Sequence, residues 1–332
     1  MDVLRFITQR VEMVERELER WVPSKGEPKE LFAASRHLLR AGGKRLRPCL
    51  LVISCEAVGG DGRKVLGAAA AIELLHTFTL IHDDIMDSDE IRRNVKTVHV
   101  LWGEPIAIVA GDALFAKVFE ILSENTRALG LDGKTTAEII GAVSRTSFEI
   151  CAGQTMDILF EKREDVTEKE YLKMVEGKTG ALIEASTKIG AILGGGSRKE
   201  IDALASYGRK IGVAFQIRDD VLGLVGEIEK FGKPVGSDIR EGKKTLVVVR
   251  GLSVAGPAER KKLLAVLGKR DASEKEIREA IDLLKETGSI EYAEKKAEIL
   301  VEEAKSKLKV LRDSDAKNAL LKIADFVIRR EF

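Results

Sequence analysis

Residues Gly59 to Asp87 read GGDGRKVLGAAAAIELLHTFTLIHDDIMD. From Leu66 to Ile81 this is an apolar tract broken by Glu73 and His76, too continuous for a surface helix, whose apolar residues form one stripe. It is also too short and too polar for a membrane span, which needs about 20 predominantly apolar residues. The tract therefore predicts a central helix surrounded by others, and Lys134 to Glu164 predicts a second. Outward from these two, Leu, Ile, Val and Ala recur at three- and four-residue intervals, and only 6 prolines interrupt 332 residues. The predicted fold is all-α, a single large bundle of about ten or more helices. Thr167 with Glu170 and Ser273 with Glu276 have capping-box spacing, while Gly42-Gly43, Gly194-Gly195-Gly196 and Pro257 punctuate the chain. Ser273 to Phe332 is richer in Glu and Lys and predicts amphipathic outer helices. No Ser/Pro-rich linker precedes it, so residues 1–332 are expected to form one domain.

Charge narrows the partners. The 55 Lys and Arg balance 54 Asp and Glu, a formal net charge of +1. Nucleic-acid binding through phosphates needs a basic excess, so no nucleic acid is expected. Cys49, Cys55 and Cys151 are odd in number and lack metal-like pair spacing, which suggests reduced thiols in a cytoplasmic protein, all three in the core. The N-terminus, MDVLRFITQRVEMVERELERW, has helical spacing and lacks the uninterrupted apolar stretch of a signal peptide. A soluble protein without stable membrane insertion is expected.

The end of the opening stretch has a partner far along the chain. Ile81-His82-Asp83-Asp84-Ile85-Met86 and Ile217-Arg218-Asp219-Asp220-Val221-Leu222 share Ile-x-Asp-Asp-aliphatic-aliphatic, preceded by Phe78 and Phe215. At about 100° per residue, Asp83, Asp87 and Asp84 project at roughly 0°, 40° and 100°, one carboxylate-lined edge. Gln216, Asp219 and Asp220 span a similar arc. A lone Asp pair reads most simply as a solvated helix end. Two copies in matching apolar contexts favour carboxylates gathered for a hard cation such as Mg²⁺.

Mg²⁺ held by a few carboxylates completes its shell with water and substrate phosphates. Phosphate-binding cations occur in four places. Gly42-Gly43-Lys44-Arg45-Leu46-Arg47-Pro48 sets three on a Gly-rich turn entering a helix. Arg92-Arg93 follows Asp87 by five residues. Lys178-Thr179 lies between Gly177 and Gly180, which predicts a helix bend with exposed carbonyls. Phe231 to Lys244, carrying Lys233 and Lys243, reads as a mobile lid.

In this order, GGKRLRP, DDxxD (Asp83, Asp84, Asp87), Arg92-Arg93, Gly153-Gln154, Lys178-Thr179 and FQxxDD (Phe215 to Asp220) resemble the trans-isoprenyl diphosphate synthases, particularly archaeal short-chain geranylgeranyl diphosphate synthases. The likeness runs from about Leu31 to the C-terminus. It implies the isoprenoid synthase bundle around a central cavity. It also implies a prenyltransferase of isoprenoid biosynthesis, which condenses isopentenyl diphosphate head to tail with dimethylallyl, geranyl or farnesyl diphosphate, mainly to the C20 product.

By the same resemblance, Asp83, Asp87 and Asp219 ligate Mg²⁺, two or three ions per active site, with Asp84 and Asp220 supporting them. Arg92, Lys178, Lys233 and, less firmly, Lys243 contact the allylic diphosphate. Lys44, Arg47, His76 and Arg93, with backbone from Gly43, hold isopentenyl diphosphate without metal. The Lys178 carbonyl, the Thr179 hydroxyl and the Gln216 amide oxygen offer dipoles to the allylic cation, and bound diphosphate product takes the final proton. Phe78, five residues before Asp83, with Thr79 at four, is the chain-length position and implies a C20 product. Long apolar helices such as Pro105 to Leu122 imply a homodimer.

One departure stands out: Gly223 occupies the place of the second motif's third carboxylate, leaving Asp219 aided by Gln216 and Asp238. It is the sequence argument for a non-catalytic regulatory subunit. A C15 or mixed C15/C20 synthase is the near alternative. An HD-type phosphohydrolase reading of His82-Asp83 explains neither GGKRLRP nor the second Asp pair. A class I terpene cyclase has no use for a second cationic pocket. Gly177-Lys178-Thr179 lacks both the earlier glycine and the strand of a P-loop. Gln154 and Asp157 are expected to pack or to support the site.

Overall fold

The computed structural model describes residues 3–225 and 236–329. Helices α1 (Val3–Trp21), α2 (Lys29–Arg40), α3 (Leu46–Ala57) and α4 (Leu66–Met86) lead to a two-stranded antiparallel hairpin, β1 (Ile91–Arg92) and β2 (Val95–Lys96). Then come α5 (Val98–Trp102), α6 (Glu104–Ala128), α7 (Gly133–Glu161), α8 (Glu168–Val175), a π turn (Glu176–Gly180), α9 (Ala181–Leu193) and α10 (Arg198–Val225). After the gap follow α11 (Ser237–Glu241), α12 (Leu246–Val254), α13 (Pro257–Val266), α14 (Glu274–Glu286), α15 (Ser289–Lys307) and α16 (Asp315–Arg329). The chain is all-α, as the periodicity predicts.

It divides into two compact units. The first comprises Met1–Ser144, Ala185–Ala205 and Val310–Leu320; the second comprises Arg145–Glu184, Ser206–Lys309 and Leu321–Phe332. The first is built on α4. Ala68 to Ala71 are fully buried, small enough for α3 and α6 to approach the helix, and Ile72, Leu74 and Leu75 fill the space beyond them. Each such aliphatic side chain contributes about 1.5–3 kcal/mol of burial, so Ile72→Ala alone costs about 2–5 kcal/mol. Gly62–Met86 does reach the length and mean hydropathy, 1.5, of a membrane span, but 67% of its apolar window is buried inside the fold. The second unit centres on α12, whose Leu246 to Val249 are buried among α8, α14 and α15.

Local signals hold where they were read. Thr167 accepts from Glu170 N–H at the start of α8, and Ser273 from Glu276 N–H at the start of α14, both as reciprocal capping boxes. Cys49 and Cys55 are buried, and burial pushes both thiols up to about 12. Cys151 is exposed, against expectation. It lies on the same side of α7 as the exposed Phe148, so apolar neighbours in sequence did not mean burial.

Candidate active site

In the first unit, the β1–β2 hairpin turns on Arg93 and Asn94, both left-handed at φ 52° and 61° as a two-residue type I′ turn requires. That turn delivers the Arg93 guanidinium to the GGKRLRP loop, where its Nη1 donates to the carbonyls of Leu38 (2.9 Å) and Gly42. Gly43, at φ 139°, leaves room for it: a Cβ there would lie 2.8 Å from Arg93 Cζ. At the start of α3, Arg47 Nη1 lies 3.2 Å from His76 Nε2 on α4. Burial and then the charges of Arg47 and Arg93 hold His76 well below the ordinary imidazole range, so it is neutral and accepts from Arg47. Burial lowers Arg47 to about 10, and its Nε is buried with no hydrogen-bond partner among the described residues. A desolvated cation with an unused donor is a site for an anion. The structure thus brings Gly43, Arg47, His76 and Arg93 together, with Lys44 exposed on the same loop.

Arg45, read as one of three equivalent loop cations, is different. Its side chain is fully buried and bonded to Glu15, Glu73 and the Leu39 carbonyl. It holds the loop rather than facing it.

At the end of α4 the three aspartates also part company. Asp84 turns inward, fully buried, and pairs with Arg92, which also reaches Asp89 at 3.3 Å. Asp83 and Asp87 stay partly exposed, with Asp87 N–H donating to the Asp83 carbonyl at 2.8 Å. The carboxylate edge expected of three residues is therefore an edge of two, and Asp84 orients Arg92. Below it, Phe78 packs on Phe115 (5.1 Å between centroids), Phe115 on Phe119 (5.2 Å) and His82 edge-on against Phe78 (4.7 Å). Phe115 and Phe119 on α6 were not picked out by sequence, because nothing in an apolar helix marks which aromatics meet. Thr79 donates to the His76 carbonyl at 2.8 Å.

In the second unit, Glu176 to Gly180 form a π turn rather than a simple bend. Such turns, rare and concentrated at functional sites, interrupt the i→i−4 ladder. Gly153 explains the close fit of α7: a Cβ there would stand 2.3 Å from the Lys178 nitrogen. One turn on, Asp157 accepts from Lys178 Nζ at 2.6 Å, which fixes that cation. Asp157 thus supports the site, whereas both amide atoms of buried Gln154 lack partners among the described residues. From the same turn, Thr179 Oγ1 donates to Gln216 Oε1 (2.8 Å), Gln216 Nε2 donates to Asp220 Oδ1 (2.8 Å), and Tyr171 donates to Asp220 Oδ2 (2.7 Å). The two bonds to Gln216 fix its amide orientation. Tyr171, wholly buried on α8, was missed by sequence reading because a single Tyr in an apolar helix carries no signal of its partner.

Burial and then the charge of Asp238 raise Asp220 to about 7. Asp238 matters for another reason: a Cβ on Gly223 would lie 3.5 Å from its Oδ2. The start of α11 therefore sets a carboxylate close to where the missing third residue would project. Lys243 pairs with Glu241 at 2.6 Å. The neighbouring Lys244 is buried on the carbonyls of Glu161 and Gly242. Lys233 and Phe231, and with them much of the expected lid, lie outside the described residues.

These donors fit Mg²⁺ bound jointly with a substrate. Among the described residues no three His, Cys, Asp or Glu side chains make a metal cage by themselves. Asp83 and Asp87, partly exposed at the end of α4, and Asp219 on α10 are carboxylates of the kind that Mg²⁺ prefers, alongside water and phosphate oxygens. The like charges of Asp220 and Asp238 are the electrostatic strain that a cation relieves.

An all-α fold carrying two aspartate pairs and a pocket of Arg47, Arg93 and neutral His76 defines a diphosphate-binding enzyme of the isoprenoid type. Residues 28–284 match the polyprenyl synthetase family model. The chain is 51% identical to the short chain isoprenyl diphosphate synthase of Methanothermobacter thermautotrophicus, covering 100% of this chain and 99% of that one. It is 49% identical to the geranylgeranyl diphosphate synthase of Methanosarcina mazei, covering 92% and 91%. The crystal structure of geranylgeranyl pyrophosphate synthetase from Pyrococcus horikoshii superposes with a TM-score of 0.93 at 42% identity, covering 99% of this chain and 98% of that one. The chain belongs to the polyprenyl synthetase family, whose members use a divalent metal for diphosphate substrates.

Proposed function

We propose that this protein is a Mg²⁺-dependent prenyltransferase that adds isopentenyl diphosphate to dimethylallyl, geranyl and farnesyl diphosphates, with geranylgeranyl diphosphate as its main product. The carrying observation is the pocket of Arg47, neutral His76 and Arg93 over Gly43, with the unused Arg47 Nε: a diphosphate site without carboxylate ligands. Lys44 and the Gly43 backbone complete it. Asp83, Asp87 and Asp219, assisted by Asp238, would hold the Mg²⁺, two or three ions, that the allylic diphosphate needs. Bound Mg²⁺ supplies Lewis-acid stabilisation of the leaving diphosphate.

The chain's own residues do the rest. Arg92, set by Asp84, and Lys178, set by Asp157, meet the charge that grows on the leaving group as the allylic C–O bond breaks. Lys233 and Lys243 join them. The resulting allylic cation faces the Lys178 carbonyl and the oxygens of Thr179 and Gln216, held by the Tyr171–Asp220–Gln216–Thr179 chain of hydrogen bonds. The double bond of isopentenyl diphosphate donates its electron pair to form the new C–C bond, and departed diphosphate accepts the proton whose loss restores an alkene. Phe78, Phe115 and Phe119 form the floor that stops growth at C20.

The protein acts as one domain, in the cytoplasm, as a homodimer; Ile108 and Val109 on α6 are exposed apolar residues suited to an interface. Transfer of radiolabelled isopentenyl diphosphate, with Mg²⁺ and each allylic substrate, tests the assignment, and chromatography of the products tests the length. No transfer with any of the three would refute catalysis. Light scattering checks the dimer.

A further inference from the structure

The loop that carries Lys44 and Arg47 is held by a residue from outside every motif. Arg45, between them, is not a glycine yet has left-handed backbone, φ 46° and ψ 35°, at the cap of α3. That conformation is strained for a residue with a side chain and persists only where surrounding contacts impose it. Here three contacts do so: Nε to Glu15 Oε1 (2.5 Å), Nη1 to Glu73 Oε1 (2.6 Å) and Nη2 to the Leu39 carbonyl (2.6 Å). Glu73 is shared, because Arg93 lies 4.0 Å from the same oxygen. One buried carboxylate thus faces two guanidinium groups of the pocket, and Glu15 supplies the second negative charge. Glu15 belongs to α1, which is fixed on α3 independently by Arg10, bonded to both oxygens of Glu56 at 3.1 and 3.0 Å.

We propose that Glu15 is a positioning residue for isopentenyl diphosphate. Its carboxylate on α1 clamps Arg45 in the left-handed turn, which sets the directions of Lys44 and Arg47 and leaves Glu73 available to Arg93. The inference rests on the reading of Lys44 and Arg47 as the isopentenyl diphosphate site. Glu15 itself touches no substrate. Its loss acts on binding of one substrate and leaves the ionising residues, which sit elsewhere in the chain, as they are.

The test is steady-state kinetics on the full chain. Glu15→Gln keeps the shape and removes the charge, and the expected result is a rise in KM for isopentenyl diphosphate of about five- to tenfold, with kcat and KM for the allylic substrate within about twofold of wild type. Arg45→Lys keeps the charge but cannot bridge three acceptors and raises the same KM at least as much. Isothermal titration with isopentenyl diphosphate alone reads the same weakening without turnover. A merely structural role lowers the melting temperature and kcat with both substrates and leaves KM unmoved, and that result overturns the proposal. Lys44→Ala and Arg47→Ala separate the two layers. If they raise KM for isopentenyl diphosphate while Glu15→Gln does not, positioning by Glu15 fails and the pocket stands. If they leave it unchanged, the pocket reading fails and the role of Glu15 fails with it.

Discussion

Replacing Tyr171 by Phe removes one hydroxyl from a fully buried ring, so the consequence is almost purely the loss of the 2.7 Å bond to Asp220 Oδ2. Its magnitude depends on the charge of Asp220, which burial and Asp238 raise to about 7. A hydrogen bond to a neutral acid contributes about 1 kcal/mol, and one to a carboxylate about 1.5–3 kcal/mol. The sign follows. A carboxyl group raised on folding stabilises the fold below its unfolded value of about 3.9, and that contribution is lost as pH climbs through the folded value. Tyr171 donates to the ionised form, so its removal raises the folded value further and deepens the loss on the alkaline side. Tyr171→Phe is therefore expected to cost about 1 kcal/mol near pH 5.5 and about 2–3 kcal/mol near pH 8.5 in metal-free buffer. Urea denaturation followed by circular dichroism at the two pH values measures it, and the cycle with Asp220→Asn isolates the pair. At neutral pH kcat falls as well, because Gln216 and Thr179 hang on Asp220. A cost that is the same at both pH values, or that survives undiminished in Asp220→Asn, refutes this account of the buried chain.

Other perturbations act on separate parts. Phe78→Ser opens the aromatic floor, and products longer than C20 are expected on reversed-phase chromatography; an unchanged length removes Phe78 from that role. Asp157→Asn leaves Lys178 without its 2.6 Å partner and lowers kcat/KM for the allylic substrate about 10–100-fold, the equivalent of a charged hydrogen bond. Asp238→Asn shifts half-maximal activation to higher Mg²⁺, and a titration curve superimposable on wild type argues that Gly223 is uncompensated. His76 is held neutral in the fold and protonates freely when unfolded, so stability falls as pH drops below about 6.5. Between about pH 7.5 and 5.5, wild type is expected to lose about 1 kcal/mol more than His76→Gln by urea titration.

Much of the molecule is legible in its sequence because the relevant signals are local. Capping boxes at Thr167 and Ser273, the apolar run ending in Asp83 and the order of the motifs need only neighbours within a helical turn. Long-range pairings are not legible in this way. GGKRLRP offers three cations of equal appearance, and only Glu15 and Glu73 reveal that Arg45 is internal. Three aspartates on one helix edge look alike until Arg92 draws Asp84 inward.

The sequence alone determined that the chain is helical and that it gathers carboxylates and cations for diphosphate chemistry. The periodicity and side-chain types responsible for both are properties of short segments. Tertiary structure decided which of those charges are spent holding the fold and which remain for a substrate. Desolvation and pairing depend on partners tens of residues away: Tyr171 on Asp220, Phe115 beneath Phe78, Asp238 beside Gly223. An ionisable side chain has its chemistry from its type and its role from what it touches.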